Sequence, residues 1–154
     1  MNNKIATVKQ IRQFLLNRIS ELTTDQLNEI PAGFNNNIIW NLGHLVAAQQ
    51  GICYVRPGIK PAVDEKFILQ YKPGTKPEHY VDSNEVEIIK QLLITSLDQF
   101  ETDYQNNLFV NYEAYTTAFG IELKNIDDAI AILPFHEGVH SGYIMSLRKF
   151  ITKG

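Results

Sequence analysis

Residues 136–140 read His-Glu-Gly-Val-His. On a helix, His136 and His140 stand at i and i+4 and project from one face a turn apart. Two imidazoles at that spacing can share a metal ion with nitrogens at roughly 2.0–2.1 Å. Both lie beside the apolar positions Leu133, Ile144 and Leu147. A protonated pair there would be costly, whereas neutral imidazoles on a cation would be satisfied. Taken alone, the spacing also fits a surface pair or a pair hydrogen-bonded in the core. His44 is the natural third ligand. It sits mid-segment in the most hydrophobic stretch, with Trp40 one turn before and Ala48 one turn after. A lone buried histidine is more often a satisfied core residue, but bundle sites take ligands from facing helices. Gly43 and Ala48 are small enough to leave room for an ion and its ligand. Three neutral imidazoles leave a coordination position open, as catalytic rather than closed structural sites do. An ion held this way can acidify a bound water or thiol and polarise a substrate. Imidazole suits several divalent metals, and the expectation is one ion, zinc or nickel.

The same five residues match the H-E-x-x-H signature of metalloproteases, in which Glu137 would be the general base. Three features count against that reading. Little chain lies between His140 and Gly154 for a further ligand, no clear sheet precedes the segment, and Gly138 with Pro134 makes an irregular helix. Glu137 remains a candidate catalytic residue, alongside roles as an acceptor from an imidazole N–H or as a solvated surface carboxylate. Trp40 fits the core better than a substrate platform. Gln49 and Gln50 could approach the site, and Cys53 fits a small buried hydrophobe better than a nucleophile. His79 fits a loop residue of the Pro-rich connection better than a group lining the site mouth, and Tyr112 and Tyr115 could overhang the site.

Four helical stretches must position these groups. Ile5, Val8, Ile11, Leu15, Ile19 and Leu22 recur at steps of three or four, predicting a helix from about Lys4 to Ser20 with Arg12 mostly off its apolar face. Pro31-Ala32-Gly33 breaks the chain. Asn35, Asn36 and Asn37 offer caps for a second helix from about Ile38 to Val55, apolar nearly all round and so well buried. Residues 56–82 form a long, Pro-rich connection with a turn of helix near Asp64 to Leu69. Ser83 is the expected cap of a third helix with Val86, Ile89, Leu93, Leu97 and Phe100 as its stripe. Residues 104–125 leave a short hairpin and an irregular flap both open. The last helix begins near Asn125, and Pro134 predicts a kink or short break in it. The fold class expected is all-α: a four-helix bundle in which the long connection lets helices two and three run parallel.

Composition narrows the function classes. The 154 residues predict one domain, 1–154, long enough to bury a core. With 44% hydrophobic and 20% charged residues the chain is globular in type, and its net charge of -3 without a basic stripe argues against nucleic acid. One cysteine excludes an internal disulfide. No apolar run reaches the roughly 18 residues of a membrane span, and the first residues lack a signal-peptide core. The expectation is a cytoplasmic protein acting on a small molecule.

The segment Asn37-Ile-Ile-Trp-Asn-Leu-Gly-His-Leu-Val46, together with Leu133-Pro-Phe-His-Glu-Gly-Val-His-Ser-Gly-Tyr-Ile144, resembles the DinB-like superfamily. That group includes bacillithiol-transferase and mycothiol-dependent isomerase relatives, and the likeness covers nearly the whole chain. It implies an up-down-down-up bundle with a three-histidine metal site at His44, His136 and His140. It further implies a homodimer and action on a low-molecular-weight thiol, so a thiol S-transferase or a hydrolase is expected. Tyr143 stands where many relatives carry glutamine. The competing expectation is a non-catalytic module in which the histidines tie helices together.

Overall fold

The computed structural model describes residues 3–153 and is mostly helical. The first helix, α1 (Asn3–Ile19), buries Ile5, Val8, Arg12, Leu15 and Ile19. Arg12 therefore lies within the apolar stripe rather than off it, and is completely buried. A short helix that periodicity does not reveal follows, α2 (Thr24–Asn28). It is held by a capping box between Thr23 and Gln26, a pattern visible in sequence as Thr-x-x-Gln.

Helix α3 (Ile38–Gln50) starts on Asn37, whose side chain accepts from the Trp40 amide, and all its residues are buried. The expected continuation to Val55 exists, but residues 51–55 widen into a π-helical turn. Such turns re-aim side chains and are common at functional sites. Helix α4 (Glu65–Tyr71) is capped by Asp64, close to the turn of helix expected there. The cap of α5 (Ser83–Gln105) is Asp82 rather than Ser83. Its carboxylate accepts from the Glu85 amide, and Ser83 is already helical. Between α5 and the last helix a hairpin forms, β1 (Tyr115–Thr116) against β2 (Glu122–Leu123), antiparallel, with Gly120 at a φ of 78° in its turn.

Helix α6 (Ile126–Thr152) runs from its Asn125 cap straight through Pro134. Of the kink or short break expected there, the break does not occur. Losing one backbone hydrogen bond costs a few kcal/mol, but Ile130, Leu133, Ile144 and Leu147 are each essentially buried. Each such side chain contributes roughly 1.5–3 kcal/mol, so both halves of the helix stay pinned.

Helix α1 packs on α5 and α6, and α3 packs on α4, α5 and α6. Specific contacts fix which ends meet: Arg12 with Glu137 and Arg148 with the Arg18 carbonyl, Lys9 with Asp98, Tyr54 with Asp103, and Asn41 with His140. The core divides into two clusters, one around Leu15, Leu42, Ile89 and Ile144, the other around Val8, Tyr54, Phe100 and Leu133. The buried polar residues Arg12 and Glu137 fall along α1 and α6 between members of the two clusters. No described helix is long and apolar enough to cross a membrane.

Candidate metal centre

The interior of the protein brings His44 from α3 together with His136 and His140 from α6, one ring nitrogen of each lying within 4.8 Å of the others. Ring centroids are 4.6 Å apart for His136–His140 and His44–His140, and 5.3 Å for His44–His136. The three histidines singled out by spacing and burial are thus brought together. Trp40 stacks on His44 at 4.8 Å with the planes 13° apart, and its indole N–H reaches the Thr75 hydroxyl. It is a wall of the core that also fixes a ring of the cluster.

Neighbours determine which nitrogen two of the rings present. His44 Nδ1 lies 2.8 Å from the Tyr71 carbonyl, which can only accept, so the proton is on Nδ1 and Nε2 carries a free lone pair. His140 Nδ1 lies 2.9 Å from Asn41 Oδ1. The Asn41 amide nitrogen donates to Asn36 and to the Asn37 carbonyl, so its oxygen is the atom facing His140. Metal-binding imidazoles are oriented in this way, the far N–H held by a carbonyl and the near nitrogen left bare. Burial holds all three rings neutral. It lowers the pKa of His44, and with its imidazole neighbours it lowers those of His136 to about 3 and His140 to about 4. A donor set of three neutral imidazoles, two of them pre-oriented, suits a divalent ion of the zinc or nickel type.

Gly43 serves this arrangement differently from the expectation that it makes room for an ion. A Cβ there would lie 2.6 Å from the Tyr71 ring. The missing side chain seats Tyr71, whose backbone then orients His44 and whose hydroxyl donates to Glu85. Ala48 does open space beside the cluster.

Glu137 is completely buried, which overturns its reading as a solvated carboxylate. Its partner is Arg12 rather than an imidazole: Nε and Nη2 of Arg12 donate to Oε1 at 3.1 and 2.7 Å. Burial pushes the Glu137 carboxyl up and the guanidinium pulls it back. Arg12 also donates to the carbonyls of Leu45 on α3 and Leu93 on α5. One guanidinium therefore clamps three helices at residues next in sequence to two of the histidines, His44 and His136.

The histidines open onto a cavity of about 920 Å³. The π turn lines it with Gly51, Ile52 and Val55, α6 with Ile132, Phe135 and Val139, and the hairpin with Tyr115, Thr117, Ala118 and Phe119. Phe119 meets Phe135 edge-on at 5.3 Å, so the hairpin covers one side of the cavity. Of the two tyrosines expected near the site, Tyr115 lines the cavity, while Tyr112 donates to the Ile52 carbonyl and supports the wall from behind. Gln49 and Gln50 are buried and bond one another, Gln50 also holding the Ala62 amide. His79 is exposed beside Gln70 and Glu85, away from the cavity. Cys53 is buried and its thiol is pushed up to about 12 by desolvation, which leaves it an inert hydrophobe. Tyr143 packs edge-on against Phe34 at 5.9 Å.

Sequence reasoning passed over Arg12, Asn41 and Tyr71. Arg12 had a signal: it occupies the heptad-like series of Ile5, Val8, Leu15 and Ile19. Asn41 stands one turn before His44, yet the ring it holds is His140 on α6, a pairing between helices that local spacing does not give. Tyr71 comes from a connection whose path sequence does not give.

A largely helical fold around three converging imidazoles defines the class: a helical protein with a candidate metal centre. The DinB superfamily profile matches residues 7–144, and the chain belongs to that superfamily. No curated protein matches it.

Proposed function

We propose that this protein is a metal-dependent enzyme that binds one divalent ion, zinc or nickel, through His44, His136 and His140, and acts on a small molecule. The observation that carries this reading is three neutral imidazoles with bare nitrogens facing one another at the inner end of a large cavity. A bound ion would acidify a thiol or water and polarise an electrophile. The protein's own groups supply the rest. Tyr71 and Asn41 hold two rings in the metal-binding tautomer, the apolar walls exclude water, and the hairpin encloses the substrate. Arg12 and Glu137 set the spacing of α3 and α6, a positioning role for Glu137 rather than that of a general base. Superfamily likeness favours thiol S-transfer, with hydrolysis as the other outcome. A homodimer, a cytoplasmic location and a low-molecular-weight thiol partner belong to the same proposal. So does an up-down-down-up path, which the end-to-end contacts support: α1 beside α6 in the same sense, and α3 beside α5 in the same sense.

Metal analysis of purified protein, with His44→Ala and His140→Ala alongside, tests the proposal. About one equivalent of metal is expected in the wild type and far less in each variant. Undiminished metal in both variants would sink it. Chelation should leave the helical signal intact, because the core clusters are built without the ion; unfolding by chelator alone would instead support the non-catalytic, helix-tying role.

A further inference from the structure

The cavity is not charge-neutral. Among its lining residues Arg56 and Lys72 are the only fully charged side chains, and no carboxylate lines it. Arg56 follows directly on the π turn and lies over the Tyr115 ring, its Cζ 3.8 Å from the centroid. Lys72 caps the end of α4, next to the Tyr71 that orients His44. Neither forms a salt bridge among the described residues, although the chain as a whole is acidic. The remaining walls are mainly aliphatic and aromatic, and several rim residues stay well exposed, Phe119 at 66%, Leu69 at 59% and Val139 at 49%. Both are exposed to solvent, and two like charges lining one cleft with no carboxylate beside them give it a positive potential. Exposed apolar side chains around a concave site mark where an apolar ligand removes surface from water.

We infer that the substrate class of this cavity is an apolar-bodied organic anion, its hydrocarbon part lying against Phe119, Phe135 and Val139 and its acidic group facing Arg56 and Lys72. The inference deepens the enzyme proposal, since it names what the three-histidine site would act on. It rests on that proposal for the reaction only. The charge preference comes from Arg56 and Lys72 and exists with or without an ion on the histidines.

Two fluorescent probes that differ by one sulfonate test it: 1-anilinonaphthalene-8-sulfonate and neutral N-phenyl-1-naphthylamine, titrated against the full chain both metal-stripped and zinc-loaded. The sulfonate should bind the stripped protein at least about tenfold more tightly at low salt, and the gap should shrink at high salt. Lys72→Gln and Arg56→Gln should each weaken the sulfonate about fivefold, the scale of one contact between unit charges in water, and leave the neutral probe unchanged. Val139→Glu, at an exposed rim position that tolerates charge, should weaken the sulfonate more than the neutral probe. Equal affinities for the two probes, or a sulfonate indifferent to Lys72→Gln and Val139→Glu, would overturn the inference. Failure to take up zinc with the charge preference intact would instead count against the metal proposal alone.

Discussion

Two buried polar clusters share one short stretch of α6. On one side of the helix Glu137 meets Arg12; on the other, His136 and His140 meet His44. The first is nearly complete. Its charges cancel, and Arg12 spends its remaining donors on the Leu45 and Leu93 carbonyls, leaving only Glu137 Oε2 without a partner. The second is held on its outer side at two rings, His44 by Tyr71 and His140 by Asn41, and is incomplete at the third, since no hydrogen bond among the described residues reaches His136. One ring nitrogen of each histidine lies within 4.8 Å of the others beside the cavity, the spacing of a candidate metal site. The ion pair holds helices in place, and the histidines form the candidate metal centre.

The largest effect should come from breaking the complete cluster. Arg12→Met leaves Glu137 buried without a counter-charge and should cost about 3–5 kcal/mol in denaturant unfolding at neutral pH. Adding Glu137→Leu should recover most of that loss, because the pair's desolvation cost goes with it. If Arg12→Met is neutral, the clamp described here is not one.

The incomplete cluster should respond to acid. The unfolded chain binds protons on its histidines below about pH 6.5, while His136 and His140 in the folded protein resist protonation down to about 3 and 4 respectively. The unfolded state therefore binds more protons, and stability falls as pH falls. Metal-free protein should lose roughly 2 kcal/mol between pH 7 and pH 5 for each ring that stays neutral, read as a falling midpoint of unfolding. A flat profile for the wild type, matching that of a His136→Ala, His140→Ala double variant, would show that these rings titrate freely.

A smaller and more specific effect is expected from Asn41→Ala. Removing the acceptor of the His140 N–H should lower metal affinity by about 10–100-fold, with helical content unchanged. Metal competition with a chromophoric chelator measures it. Unaltered affinity would mean that the ring is held by its packing alone.

The residues with chemistry were the most legible. His44, His136 and His140 could be grouped from helical spacing and burial, because those depend on local periodicity and hydrophobic content. The helix starts at Asn37 and Asn125 were legible for the same reason, since a cap is a contact between residues three positions apart. Helix α2 escaped because it is too short for periodicity. The break expected at Pro134 failed because tertiary burial outweighs one missing hydrogen bond. The hairpin of residues 115–123 stayed undecided because its strands are two residues each and gain their place from Phe119 meeting Phe135.

The sequence by itself determined the four long helices, most of their apolar faces, the histidine trio and the family. Only the tertiary structure decided the partners. It set Arg12 against Glu137 across most of the chain's length, seated Tyr71 in the gap left by Gly43, and turned Arg56 and Lys72 toward one cavity. Local propensity acts over a few residues and is written along the chain. These long-range pairings arise only once burial has removed water and each polar group must find what remains within reach.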